Sequence, residues 1–167
     1  MHKKSLERPS LAEYSVGEEQ ILFSEALAAK NFKVAPAFLN SFKVGDIIEL
    51  YEMPENTQVY CNREFLKLCS YSREQMSTIP YPKLFWRDED ANIALMHRAS
   101  YVFTHESGCV YWDIANHDLV ESLHPRKRTF EMKMGVIAPV FSIKDNERRG
   151  WASTLQVSLI FEWPEAI

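Results

Sequence analysis

Cysteine is scarce in this sequence, and long apolar runs are missing. Cys61, Cys69 and Cys109 show no C-x-x-C spacing, which argues against a disulfide framework or a thiolate metal cage and favours reduced thiols. No run approaches the roughly 20 apolar residues of a membrane-spanning helix. The basic first residues are not followed by the apolar core of a signal peptide. We therefore predict a cytoplasmic protein with no membrane partner.

Positive charge is also limited. The 167 residues hold 19 Lys and Arg against 23 Asp and Glu, for a net charge of -4. This balance does not indicate the basic surface of a nucleic-acid-binding protein. Hydrophobic residues make up 46% of the chain and aromatic residues 13%, enough for a chain of this length to bury about two-thirds of its unfolded surface. The composition predicts one principal core and no nucleic-acid partner.

The first 45 residues divide into two parts. Residues 1–14 are polar and lack periodicity, so we predict a flexible tail. Ser15 and Glu18 have capping-box spacing and predict a helix start. The residues 15–45 are interpreted as an N-terminal helical extension, followed by a domain over 46–163. The apolar stripe of its first helix needs a partner surface, and we expect homodimerisation through this stripe: Ile21, Leu22, Ala26 and Ala29.

Beyond residue 45 the pattern changes from helix to strand and back. IIELYEM and the segment from Gln58 to Cys61 predict a hairpin. Asn62 and Ser72 are candidate N-caps of two short helices, and a longer helix is predicted from about Asp88 to Phe103. Two long strands then follow, the first from Thr129 toward Phe141 and the second from Trp151 to Phe161, each with one apolar face.

This order resembles the PAS domain family. The residues that carry the resemblance are Val59 and Tyr60 before Asn62, Phe65, the run Tyr71-Ser72-Arg73-Glu74, Leu84-Phe85, and Asp88-Glu89-Asp90. It spans about residues 46–161. The resemblance implies an α+β fold, in which an antiparallel sheet of about five strands carries short helices and one longer helix on one face, beside an N-terminal flanking helix.

Two positions depart from the family pattern. Ser70 stands where PAS sequences commonly have glycine, which weakens the expectation of a left-handed turn there. The usual Asp-Gly hairpin after the long helix is replaced by HDLVESLHPRKR, interpreted as an insertion within 104–128. The family layout implies three strands after the long helix, and the first of them, which precedes the two long strands, is therefore the least defined element.

The resemblance also implies a pocket between the sheet and the long helix. Its candidate lining is nearly all apolar, and methionines adapt well to irregular ligand shapes. A closed, filled core is the competing interpretation. The candidates are Met53, Phe65, Leu68, Phe85, Ile93, Met96, His97, Phe130, Met132, Met134, Leu155 and Val157.

The cofactor is unknown from sequence. His97 lies on the predicted long helix, where haem-binding members of the family carry an axial histidine, so a haem sensor is one alternative. Flavin photoadduct chemistry is rejected, because the segment YPKLFWRDED before the long helix holds no cysteine.

A small enzyme is the other alternative. The 105–124 segment holds His105, His117 and His124, with acids nearby at Glu106, Asp113, Asp118 and Glu121. No phosphate loop, nucleophile elbow or H-E-x-x-H helix accompanies them. With Cys109, the histidines also match no compact zinc spacing. We therefore predict no catalytic and no metal-binding residues.

The sequence thus favours a binding module. We expect a sensory or protein-interaction domain that binds a small apolar ligand, a partner protein on the outer face of its sheet, or both. Signalling to a separate effector protein would follow a shift between two arrangements of the domain.

Overall fold

The computed structural model describes residues 15–104, 110–111 and 115–162, with the backbone alone for 102–104 and 110–111. The predicted flexible tail, 1–14, lies outside these ranges. The elements, in chain order, are α1 (Val16–Lys30), β1 (Phe32–Lys33), α2 (Pro36–Asn40), β2 (Ile47–Glu52), β3 (Thr57–Cys61), α3 (Arg63–Leu68), α4 (Arg73–Thr78), α5 (Tyr81–Leu84), β4 (Phe85–Trp86), α6 (Glu89–Thr104), β5 (Val110–Tyr111), β6 (His117–Glu121), β7 (Thr129–Ser142) and β8 (Arg148–Phe161).

One antiparallel sheet organises the chain. Its strands lie in the order β3-β2-β8-β7-β6-β4, and β1 and β5 both pair with β7. Within the described residues, five strands of five residues or more form the body, and the shorter β1, β4 and β5 extend it. The predicted α+β class, with an antiparallel sheet, short helices and one longer helix, is confirmed. No helix within the described ranges is long and apolar enough to cross a membrane.

Local signals place several helix starts where the sequence predicts them. Ser15 and Glu18 form a complete capping box at α1, and Ser72 and Gln75 form another at α4. Asn62 caps α3 through its side chain, while its amide also donates to the Asp46 carbonyl at 2.7 Å. This cap therefore ties the α3 helix to the start of β2.

The two faces of the sheet carry separate hydrophobic clusters. We call the face under α3, α4 and α5 the inner face and the opposite face the outer face. The outer cluster joins α1 and α2 to the sheet and comprises Phe23, Leu27, Phe32, Phe38, Phe42, Ile48, Leu50, Val136, Ala138, Val140 and Ala152. The inner cluster comprises Ile47, Cys61, Phe65, Tyr71, Met76, Leu84, Phe85, Leu119, Met132 and Leu155.

The outer cluster attaches the N-terminal helix to the sheet. Phe23 and Leu27 are its buried apolar residues, whereas Ile21 is 61% exposed and Ala29 is exposed. Phe23 and Leu27 attach α1 to the sheet, while Ile21 and Ala29 of the predicted dimer stripe are exposed and Leu22 and Ala26 are half-buried, so homodimerisation through this stripe stays a prediction. Since α1 and α2 cover this part of the outer face, the rest of that face is where the predicted partner protein would bind, and that contact stays a prediction. The division at residue 46 stays a prediction.

The segment interpreted as an insertion contains a strand. HDLVE forms β6, which pairs with both β7 and β4, and HPRKR forms the turn that follows it. Nor does Ser70 adopt a left-handed backbone: its N–H donates at 2.7 Å to the buried carboxylate of Glu121 on β6. The departure from glycine is thus accommodated by a hydrogen bond to the sheet.

Candidate functional site

A small cavity lies on the inner face, between the sheet and the short helices. Its volume is about 20 Å³, room for roughly one water molecule and far below the ~300 Å³ of the smallest usual ligand pockets. It is lined by Ile47, Glu49, Phe65, Leu68, Cys69, Tyr81, Phe85, Leu119, Phe130, Met132, Leu155 and Val157. The described conformation is therefore closed.

Most of the predicted pocket residues meet at this cavity. The sheet contributes Phe130, Met132, Leu155 and Val157, which alternate inward along β7 and β8. Phe65, Leu68 and Phe85 cover them from α3 and β4. Met134 packs beside the cavity against the inner cluster. Whether these residues bind a ligand stays a prediction.

Four predicted pocket residues lie elsewhere. Met53 is 42% exposed in the turn after β2, and Ile93 and Met96 are 49% and 70% exposed on α6. His97 is also exposed. The inward orientation predicted for Ile93 and Met96 was wrong, because the small Ala91 is the buried side chain among those described on α6.

The position of His97 does not suit an axial haem ligand. It lines an open groove of about 610 Å³ between α6 and the start of β6, with Asp90, Arg98 and His117 among its neighbours. This groove is distinct from the apolar cavity, whose lining does not include His97. The residues present therefore do not provide haem with a histidine inside the cavity.

Sequence reasoning missed a buried carboxylic acid at the cavity. Glu49 is 2% exposed, and its Oε1 accepts from the Tyr51 hydroxyl at 2.8 Å and from the Gln58 amide at 3.2 Å. Burial raises the pKa of Glu49 to about 7, although the Tyr51 hydrogen bond and the Arg87 charge oppose this shift. The sequence did contain a signal for the burial of Glu49, because the alternation of side chains along β2 puts Ile47, Glu49 and Tyr51 on one face.

The Glu49 cluster extends toward the short helices through aromatic rings. Tyr51 meets Tyr81 edge-on with ring centroids 5.3 Å apart. The Arg87 guanidinium donates to the Tyr81 hydroxyl at 2.7 Å. Ser153 faces Glu49 across the β2–β8 ladder, and the interaction of its buried hydroxyl with the carboxylate opposes the rise in the Glu49 pKa. One end of the cavity is therefore polar, while the remainder is apolar.

The two cysteines of the inner cluster are poor nucleophiles. Burial raises the pKa of Cys61 and of Cys69 to about 12. The thiolate is the reactive form of cysteine, so both side chains are almost fully protonated at neutral pH. Cys69 contributes to the cavity as a small apolar side chain.

The histidines of the predicted enzyme alternative do not form a described catalytic cluster. His117 is buried at one end of β6, its Nδ1 lying 3.1 Å from the Ala115 carbonyl, and burial lowers its pKa. His124 follows the other end of β6 and packs edge-on against Tyr71. Among the residues that the structure describes, no group of three His, Cys, Asp or Glu could hold a metal ion. Outside the described residues lie His105, Glu106, Cys109 and Asp113.

Solved structures with a related arrangement come from sensory proteins. A sensory box sensor histidine kinase from Vibrio cholerae is 15% identical, with 86% of this chain and 95% of that chain covered and a TM-score of 0.45. The blue-light photoreceptor Aureochrome1 LOV is 18% identical, with 94% and 88% covered and a TM-score of 0.45. The fungal blue-light photoreceptor Vivid, in a light-state dimer, is 13% identical, with 90% and 98% covered and a TM-score of 0.48.

These likenesses identify neither a ligand nor an activity for this chain. No protein-family model matches the sequence, and no curated protein does.

Proposed function

We propose that this chain is a PAS-like sensory module that works by binding and not by catalysis. A small apolar ligand enters the inner-face cavity, and the resulting change in the domain regulates a separate effector protein. The observation that carries this proposal is the closed cavity itself, bounded by apolar side chains from β2, β6, β7 and β8 and covered by short helices. A cavity with one buried acid at its end can select a ligand as well as enclose it.

The helices over the cavity are suited to movement. The α3, α4 and α5 helices have 6, 6 and 4 residues, whereas isolated helices shorter than about 12 residues are marginal in water. Tertiary packing therefore holds them, including the edge-on contacts of Phe85 with Phe65 and Tyr71. A ligand that separates these rings would favour an open arrangement over the closed one.

Methyl NMR with benzene as the probe tests this proposal. In protein labelled at the methionine methyl groups, we expect a saturable shift of the Met132 resonance because Met132 lines the cavity. Met53 and Met96 serve as internal controls, since both are exposed.

A matched variant locates the binding. Leu155→Phe places a larger side chain in the cavity and should abolish the Met132 shift, provided that thermal unfolding confirms a folded variant. An unshifted Met132 in the wild type, or an equal shift in Leu155→Phe, would contradict ligand entry at the cavity.

The proposal includes homodimerisation through α1. Its outward side presents Ile21 and Ala29, so a parallel or antiparallel contact between two α1 helices is sterically open. The double variant Ile21→Glu, Ala29→Glu should be monomeric by light scattering, because it places like charges in this contact while leaving Phe23 and Leu27 buried. A dimer unaffected by both substitutions would eliminate this route.

A further inference from the structure

The groove between α6 and the start of β6 has the size of a ligand site. Its volume is about 610 Å³, within the ~300–1,000 Å³ range of small-molecule pockets. One face of the α6 helix forms one wall, and the residues that lead into β6 form the other. None of the described residues lines both this groove and the inner-face cavity. A ligand in the groove would therefore occupy a second, separate site.

His117 gives the groove an unpaired hydrogen-bond acceptor. It lines the groove and is only 8% exposed. Its Nδ1 lies 3.1 Å from the Ala115 carbonyl oxygen, and because a carbonyl can only accept, we assign the ring proton to Nδ1. Burial lowers the pKa of His117 and so favours the neutral ring, in which Nε2 is an acceptor. This Nε2 is buried and has no hydrogen-bond partner among the described residues.

The unpaired Nε2 specifies one feature of a ligand. A buried acceptor without a partner is uncommon in folded proteins, because it has lost its bonds to water without gaining others. Met132 pairs with His117 across β6 and β7, and a methionine side chain has no N–H or O–H to donate. A ligand that donates such a group to Nε2 would satisfy the acceptor.

The charges of the groove specify another feature. Asp90 lines it near the start of α6, and Arg98 lines it eight residues later, about 12 Å along the helix axis. The charges of residues 87–88, which directly precede α6, act on His117, so His117 lies toward the Asp90 end. A ligand carboxylate is repelled by Asp90 and attracted by Arg98. The hydrogen-bond donor of the ligand then points toward His117.

The helical wall between these ends suits a flat ring. Ala91 and Ala94 lie there with three-residue spacing, on the face that also carries Arg98. Their side chains are single methyl groups, so a ring can lie close to the helix. The Tyr101 ring lies one turn beyond Arg98 on the same face and extends this wall with an aromatic surface. An aromatic ligand therefore fits the wall better than a branched aliphatic one.

We propose that the groove binds a small aromatic acid whose ring carries an N–H or O–H group. The ring group donates to His117 Nε2, and the carboxylate pairs with the Arg98 guanidinium. Between these ends, the ring packs over Ala91 and Ala94. Arginine binds a carboxylate through two parallel hydrogen bonds, which also orient it. A ligand that lacks the donor would bury Nε2 unpaired, and the groove would reject it.

Calorimetric titration with two matched ligands tests the donor. Indole-3-acetate has one ring N–H and one carboxylate, and its N-methyl analogue replaces only that N–H with a methyl group. We expect saturable binding of indole-3-acetate at one site and at least about tenfold weaker binding of the analogue, which leaves Nε2 unpaired. No binding of indole-3-acetate at its highest soluble concentration, or equal affinities of the two ligands, would overturn the inference.

NMR of the ring nitrogens in histidine-labelled protein observes His117 directly. Indole-3-acetate should shift the Nε2 resonance of His117, because a new donor meets that atom, and the N-methyl analogue should not. His124 is the internal control, since it follows the other end of β6 and packs against Tyr71. A shift of His124 alone, or no shift of either ring, would count against the proposed site.

Arg98→Gln tests the charged end of the groove. Removing the guanidinium should weaken the binding of indole-3-acetate at least about tenfold, because the carboxylate loses its paired cation. Lys83→Gln is the matched control, an exposed cation on α5, and should bind as the wild type does. Circular dichroism checks that both variants are folded. Equal affinities of these two variants would contradict the proposal.

Leu155→Phe separates the groove from the inner-face cavity. Leu155 lines the cavity and not the groove, so the larger side chain should leave the affinity for indole-3-acetate unchanged. Loss of binding in this variant would place the ligand in the cavity and refute the second site. Ligand entry at the cavity is decided separately, by the Met132 resonance with benzene, so the failure of either proposal is distinguishable from the failure of the other.

Discussion

Replacing Phe23 with alanine is expected to destabilise the whole protein by about 3–5 kcal/mol, the usual cost of a deeply buried Phe→Ala substitution. Phe23 is fully buried in the outer cluster. Its ring contacts Phe38, Phe42 and Tyr60 at centroid separations of 5.4, 5.6 and 5.7 Å. These contacts join α1, α2 and the sheet, so losing the ring leaves a cavity at the junction of all three. Urea unfolding monitored by circular dichroism measures the effect.

Ile21→Ala is the matched control on the same helix. Ile21 is 61% exposed, so its loss should change the free energy of unfolding by about 0.5 kcal/mol or less. Phe23→Ala should shift a single cooperative transition, since the 15–45 segment shares a core with the sheet. An early transition for the helix, with the sheet midpoint unchanged, would instead support a domain boundary at residue 46.

Signals confined to a few neighbouring residues were predictable from the sequence. The capping boxes at Ser15 and Ser72 have the predicted partners, and the β7 and β8 strands follow their alternation of apolar and polar residues. Each of these signals depends on chemistry within one turn or one strand. The amino-acid order alone therefore contains it.

The elements that sequence reasoning placed wrongly depend on contacts between distant segments. β6 directs His117, Leu119 and Glu121 inward. Because the residues at both ends of this buried face are polar, the sequence does not show the apolar alternation that predicts a strand. Glu121 is fully buried, and its carboxylate accepts a hydrogen bond from the Ser70 N–H, 51 residues earlier in the chain. The inward face of α6 likewise depends on the sheet against which it packs. Composition and periodicity do not identify which distant segments form these contacts.

Glu49→Gln is expected to reduce the pH dependence of stability. The folded protein holds the Glu49 proton with a pKa of about 7, against an ordinary value of 4.5. Below pH 4.5 the Glu49 carboxyl is protonated in both the folded and the unfolded protein, so it does not lower the free energy of unfolding. As the pH rises from 4.5 through 7, the unfolded chain releases the proton more readily, so the wild type loses about 3 kcal/mol of stability. Glutamine cannot ionise, and the variant should lack this loss.

The measurement is the free energy of unfolding of both proteins between pH 4.5 and 8. Burial also raises the pKa of Glu19 and Asp46 and lowers that of His117, so the wild-type slope alone does not isolate Glu49. The difference between the slopes of the two proteins isolates Glu49, because Glu19, Asp46 and His117 remain in both proteins. Any constant effect of the new amide beside Ser153 cancels in that difference.

Glu25→Gln, on an exposed position of α1, provides the matched control and should reproduce the wild-type slope. Equal slopes for Glu49→Gln and the wild type would mean that Glu49 ionises as readily in the folded protein as in the unfolded chain. The cavity would then have a charged end at neutral pH, and that end would favour a cation or a hydrogen-bond donor. If the slope difference is found, the acid is half-protonated near pH 7, and the same position can accept from or donate to a neutral ligand.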